Sequence, residues 1–228
     1  MTEIENTLWK FINSLAITRT TPNVYNQYDY ATTQNEIRRD NLFIYLKETY
    51  RLSPRIIMIG EAPSYKGSRI TGVPFTSEYL LMNDENWRNL FGKNVRFKLP
   101  YGKDKLTRTP TSTIIWDAIT KFGILALFWN AFPFHPYRAD NPKSNRSPSK
   151  KELSIGLGPL LKLIEIYEIE YAIAIGRKAE KSLNKLNIPA CYVRHPAQGG
   201  KKAFIQGIRK IINNMALPIL FFSIMVRS

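Results

Sequence analysis

Cysteine is nearly missing from this chain: Cys191 is the only one in 228 residues. A single thiol cannot form an internal disulfide, and it cannot build a cysteine-based zinc site or an iron–sulfur cluster. Histidine is almost as scarce, with only His135 and His195, so a multi-histidine metal centre is excluded as well. No metal and no cofactor is expected. The sparing use of cysteine fits a reducing compartment, and a cytoplasmic location is expected. No apolar run reaches the roughly 20 residues that span a bilayer. The longest, Leu217 to Val226, is broken by Pro218, and the apolar tail 214–228 is read as a terminal strand or packed segment. The first residues carry Glu3 and Glu5 without a long apolar stretch, which argues against a secretory signal. Phosphate-loop and dinucleotide fingerprints are missing too; Gly156-Leu157-Gly158-Pro159 lacks the third glycine. Acidic residues are few. Eighteen Asp and Glu face 33 Lys and Arg, for a net charge of +15. Such a surface attracts polyanions, with nucleic acid the leading partner and anionic membrane the second.

What is present is a regular alternation of apolar runs. The chain is long enough for one domain with a real core, and 44% of its residues are hydrophobic. Helical spacing is seen over 2–16 and 34–50, so residues 1–50 form an N-terminal helical segment packed on that domain. Further helices are expected over 76–91, 111–122, 149–168, 177–186 and 200–213. Gly156, Gly158 and Pro159 are placed to break the 149–168 helix. Short β-branched or apolar runs at 55–59, 124–129, 171–175 and 190–193 read as buried strands. Residues 92–110 form a basic excursion outside the core, and 133–148 a loop rich in Pro, Asn and Arg. Strands alternating with helices predict a three-layer α/β/α sandwich around a mainly parallel four-stranded sheet. Ligands of such sheets sit beyond the carboxyl ends of the strands.

Three of those ends carry able side chains. Gly60-Glu61-Ala62-Pro63-Ser64-Tyr65 follows the first strand; Gly60 permits close backbone approach, and Glu61 brings a carboxylate. With Tyr65 and Phe75 this turn becomes an aromatic-walled cleft. Asn130 ends the second strand, and its amide offers one donor and one acceptor edge, suited to a pyrimidine. His195 follows the fourth strand and can donate to a developing negative charge. Behind it, Gln198, Gly199, Gly200, Lys201 and Lys202 lead into a helix, a combination suited to clamping a phosphate.

These residues resemble the uracil-DNA glycosylase superfamily, from about Arg55 to Ile212. Gly60-Glu61-Ala62-Pro63 is similar to its first motif, closest to the version in the thermophile-type family. Pro74-Phe75 is similar to the segment with the base-stacking phenylalanine, Asn130-Ala131 to the strand-end asparagine that reads the base, and His195-Pro196 to the second catalytic motif. The resemblance implies that Glu61, Asn130 and His195 are catalytic. It also implies that Gly60, Ala62, Pro63, Ser64, Tyr65, Phe75 and Asn130 bind the base. DNA contacts are expected from Arg194, Pro196, Gln198, Gly199, Gly200, Lys201 and Lys202, joined by His135 and Arg146 from the 133–148 loop. Two departures stand out. The best-known members carry a water-positioning Asp where Ala62 stands, which leaves Glu61 or a water held by Asn130 to serve. They also carry a Tyr where Ser64 stands, which excludes bases bulky at C5, unless Tyr65 replaces that wall. The four iron–sulfur cysteines of the thermophile-type members are absent.

The expectation is a monofunctional DNA glycosylase without lyase activity, acting on a flipped-out pyrimidine in DNA with uracil as the leading substrate, as in base-excision repair. Ser64 leaves open a bulky modified cytosine, such as a hypermodified phage base removed in phage defence. The altered water site leaves open a non-catalytic DNA-binding protein on the same fold.

Overall fold

The computed structural model describes residues 1–83, 90–91, 95–102 and 106–214. In chain order its elements are α1 (Glu3–Ala16), β1 (Val24–Tyr25), α2 (Thr33–Arg51), β2 (Ile56–Gly60), α3 (Ser68–Thr71), α4 (Glu78–Met82), α5 (Pro110–Lys121), β3 (Ala126–Asn130), β4 (His135–Pro136), α6 (Lys150–Ile166), β5 (Tyr171–Ile175), α7 (Arg177–Lys185), β6 (Ala190–Val193) and α8 (Lys201–Asn214).

Four of the strands form one sheet in the order β3-β2-β5-β6, and every pairing is parallel. β2 and β3 are buried at all five positions. Burial of alternate residues on both faces requires helices on both sides, as their continuous apolar sequences predict. The expected three-layer α/β/α sandwich is therefore the fold. The register sets Gly60 opposite Asn130, so the last residues of β2 and β3 stand level at one rim. Beyond the strands the ladder continues, with the Ala131 N–H donating to Gly60 O (2.8 Å) and the Phe132 N–H to Glu61 O (3.0 Å).

The N-terminal helices pack against the outer side of this sheet. β3 is an edge strand, and edge strands expose unpaired backbone groups. Here the hydroxyl of Tyr45 in α2 meets that need. It accepts from Phe128 N–H (2.8 Å) and donates to Phe128 O (3.3 Å), while Tyr45 itself is fully buried.

The structure departs from the sequence reading in four places. First, α6 runs unbroken through Gly156, Gly158 and Pro159. A Cβ on Gly156 would lie 1.9 Å from Ala131 O, so this glycine lets the helix press on the backbone just after β3 rather than ending it. Second, β1 and β4 pair antiparallel, Val24 with Pro136 and Tyr25 with His135, joining two segments expected to be irregular. Third, the helix expected over 76–91 is Glu78–Met82 among the described residues; Ser77 caps it by accepting from Leu80 N–H. Fourth, part of the basic excursion enters the core, with Phe97 5% exposed and packed on Phe91. The apolar tail expected over 214–228 lies, from residue 215 on, outside the described residues, as do Lys93, Lys103 and Lys105.

Candidate active site

At the carboxyl rim of the sheet lies a cavity of about 640 Å3. Glu61, Phe75, Asn130 and His195 all line it, so the three predicted turns do converge. They come from the ends of β2, β3 and β6. β5 contributes as well through Gly176, whose φ of +94° turns the chain into α7 and whose N–H donates to Val193 O (2.9 Å).

The end of the cavity above β2 is shaped by glycine. A Cβ on Gly60 would lie 2.3 Å from the Phe75 ring and 3.0 Å from Asn130 Oδ1. Only a residue without a side chain lets ring and amide close over the end of β2. Phe75 adopts φ +55°, an unfavourable conformation for an aromatic residue. It is held there by a hydrogen bond from Trp116 Nε1 to its carbonyl (3.0 Å) and by ring contact with Phe128. Asn130 is 5% exposed. Among the described residues its side-chain amide has no hydrogen-bond partner in the protein. The amide opens onto the cavity, where it can present one donor and one acceptor edge.

His195 is oriented by its own turn. The Ala197 N–H donates to His195 Nδ1 (3.2 Å), which places the imidazole proton on Nε2. Burial lowers the His195 pKa from its ordinary value; Glu61 opposes this and Arg194 adds to it. The ring is thus a neutral donor near pH 7. Gly200 allows the turn to fold back, since a Cβ there would lie 2.1 Å from His195 O.

The remaining predicted residues divide. Ala62, Pro63 and Ser64 line the cavity. Tyr65 does not: its N–H donates to Asn145 Oδ1 (2.9 Å), and its ring lies under Lys66 outside the cavity. It therefore does not replace the C5 wall. Arg194 and Gln198 are exposed and border the cavity, whereas Gly199, Lys201 and Lys202 are exposed but line a separate surface depression with Arg209. Pro196 and Gly200 are buried and shape the turn instead.

His135 and Arg146 need correction. His135 is fully buried, with Nδ1 2.8 Å from Pro63 O, and burial pushes its pKa down to about 4. It cannot face DNA; it holds the first-motif turn from behind. Arg146 borders the cavity, but its five N–H groups are spent on Tyr137 O, Ser147 O, Asn23 O and both oxygens of Glu152. A guanidinium has no further donor to give a phosphate. Glu152, 2% exposed, is held at a pKa of about 2 chiefly by that arginine.

Sequence reasoning missed one wall altogether. Ser68, Thr109, Thr111, Ser112, Asn145 and Ser147 line the side of the cavity next to Ser64. It also missed Tyr192 at the mouth, whose ring lies under the Arg177 guanidinium (4.1 Å). A Ser149-x-x-Glu152 capping box, visible in the sequence, was the available signal that Glu152 and its neighbours are structural. Among the described residues no group of three or more His, Cys, Asp or Glu side chains could hold a metal ion, and no helix is long and apolar enough to cross a membrane.

No curated protein matches the chain. The family model described as the Uracil DNA glycosylase superfamily matches residues 47–219, which contain every wall of the cavity. With strand-end glycine, asparagine and histidine gathered at one rim of the expected sheet, the chain belongs to that superfamily of DNA glycosylases.

Proposed function

We propose that the protein is a monofunctional DNA glycosylase that hydrolyses the N-glycosidic bond of a pyrimidine extruded from DNA, with uracil as the simplest substrate. The observation that carries this reading is the unpartnered, buried amide of Asn130, facing a cavity shared with Phe75, Glu61 and His195. Phe75 stacks on the base, and Asn130 hydrogen-bonds its edge. The C1′–N1 bond breaks with the electron pair leaving on the base, whose oxygen is met by His195 Nε2–H and by backbone N–H groups of the 61–64 turn. Cationic charge builds on the sugar, where the Glu61 carboxylate and the DNA phosphates stabilise it. Glu61 takes a proton from the water that adds to C1′, leaving the sugar hydroxyl, and that proton passes on through solvent to the base anion, so that the base leaves neutral and Glu61 is again a carboxylate. Extrusion costs a few kcal/mol, and the exposed Arg194, Lys201 and Lys202 offset that cost through phosphate contacts.

The test is incubation of the purified protein with oligonucleotides containing one uracil, reading free base and alkali-labile abasic sites. Base release without a borohydride-trapped protein–DNA adduct is expected. Salt-sensitive binding with no base released from any modified pyrimidine would instead favour a non-catalytic DNA-binding role.

A second substrate reading is favoured by Ser64 and Tyr65. Ser64 is small and Tyr65 points away from the cavity, so no aromatic wall limits the C5 side of the base. A pyrimidine with a larger C5 group fits this site, and its release in place of uracil is the outcome that would select this reading.

A further inference from the structure

We infer that the cavity contains a second, uncharged subsite, which receives a polyhydroxylated substituent such as a sugar carried on C5 of the extruded base. This subsite presupposes that the cavity takes a flipped pyrimidine, as proposed for its Phe75 and Asn130 end.

Size is the first support. Pockets of roughly 300–1,000 Å3 bury ligands of many atoms, and the cavity of about 640 Å3 exceeds what a single flat ring between Phe75 and Asn130 requires. Position is the second. Ser64, Thr76 and Thr109 meet around Gly67: a Cβ there would lie 2.8 Å from Ser64 Oγ, 2.8 Å from Thr76 O and 3.6 Å from Thr109 Cγ2. Thr76 follows Phe75 directly, so these hydroxyl residues border the same cavity as the Phe75 ring. Gly67 lets Ser64, Thr76 and Thr109 pack together behind that lining.

Chemistry is the third. This wall carries Ser68, Thr111 and Ser147 together with Asn145, all lining the cavity. Ser68 is 7% exposed, yet among the described residues its hydroxyl has no hydrogen-bond partner. That hydroxyl is not sealed in the interior but opens onto the cavity, where it can both give and accept a hydrogen bond. The more accessible hydroxyls of Ser64, Thr111 and Ser147 likewise have no protein partner among the described residues. Asn145 uses Oδ1 on the Tyr65 N–H, which leaves its NH2 group for a ligand. Thr109 and Ser112 bond each other behind them.

Charge is the fourth. Arg146 is fully committed to Glu152 and to carbonyl groups. The other cations that border the cavity are Arg194, which is exposed, and Arg177, which lies over Tyr192 and pairs with Glu180. A phosphate would be drawn to those two residues. Neutral hydroxyls and an amide, acting as both donors and acceptors, are the complement of a sugar.

The experiment compares release of uracil, 5-hydroxymethylcytosine and glucosylated 5-hydroxymethylcytosine from matched oligonucleotides. The wild type should release the glucosylated base with the higher kcat/KM of the two cytosine derivatives. Ser68→Ala, Thr111→Val and Ser147→Ala should each lower the ratio of kcat/KM for the glucosylated over the hydroxymethyl base, by roughly threefold to tenfold, as loss of one hydrogen bond predicts. Ser64→Tyr should lower it further by adding bulk to that lining. Release of uracil without the glucosylated base would overturn the inference and leave the glycosylase reading intact. So would release of both cytosine derivatives with a ratio unmoved by every variant. No release of any base would remove the glycosylase reading, and this inference with it.

Discussion

Phe75 occupies the space where a side chain on Gly60 would be, with the ring 2.3 Å from the position a Cβ would take. The place of this ring in the cavity thus depends on β2 ending in glycine. Gly60→Ala should displace the ring and disturb Asn130 Oδ1, 3.0 Å from the same point. We expect a loss of kcat of at least tenfold with near-native affinity for undamaged DNA, measured by single-turnover base release and fluorescence anisotropy.

Asn130→Ala and His195→Ala should each lower kcat by roughly 10²- to 10³-fold, the range for removing one donor to a developing anion. DNA affinity should change little, because in the proposed function both side chains meet the base rather than the backbone. His195 adds a pH signature. Its lowered pKa keeps it neutral through pH 7 and somewhat below its ordinary value of 6.5. Activity should stay level as pH falls to that value and decline only below it, once Nδ1 protonates and loses the Ala197 N–H. A kcat/KM profile that lacks this limb in His195→Gln would assign it.

Lys201 and Lys202 sit exposed at the start of α8. Replacing both by alanine should weaken DNA binding at every sequence and reduce the slope of log K against log salt by roughly one to two units. Single-turnover release at saturating protein should be nearly unchanged. Equal loss of binding in Asn130→Ala would contradict this division of labour.

His135 links pH to stability. Its pKa is about 4 in the folded chain and ordinarily 6.5, so the unfolded chain binds more protons between those values. Stability is therefore greatest above pH 6.5 and falls as pH drops toward 4, by about 3 kcal/mol over the window. His135→Gln, which can still donate to Pro63 O, should flatten urea-derived stability over that interval. Glu152 acts in a separate range: its carboxylate supports the fold above pH 4.5, and that support fades toward pH 2.

Tyr45→Phe should cost about 1–3 kcal/mol, the range for stranding a buried polar group. It leaves both backbone groups of Phe128 on the β3 edge without their hydroxyl. Thermal denaturation would read this, and the loss should be independent of pH between 6 and 8.

The central sheet and the convergence of Glu61, Asn130 and His195 were legible in the sequence because each ends an apolar run and starts a turn. Those signals are local. The hydroxyl wall was not legible, since Ser and Thr at 68, 109, 111, 112 and 147 are ordinary in loops and helix starts. Only the packing of α5 and the 133–148 loop against the first turn gives them a shared cavity. His135 and Arg146 were misread for a related reason. Their partners, Pro63 O and Asn23 O, lie 72 and 123 residues away, and the β1–β4 pairing that includes the buried His135 is two residues long. A basic residue in a polar loop looks free until its distant acceptors are placed.

The level pairing of Gly60 with Asn130 makes the ladder between β2 and β3 an alignment device. Side chains alternate along a strand, so one residue added to or removed from β3 would send the Asn130 amide to the opposite face of the sheet. Such a change would leave the hydrophobic composition intact and still abolish base recognition. Length is therefore as constrained as residue identity along these five positions, whereas the turn that follows β6 can vary in length without moving the amide at all.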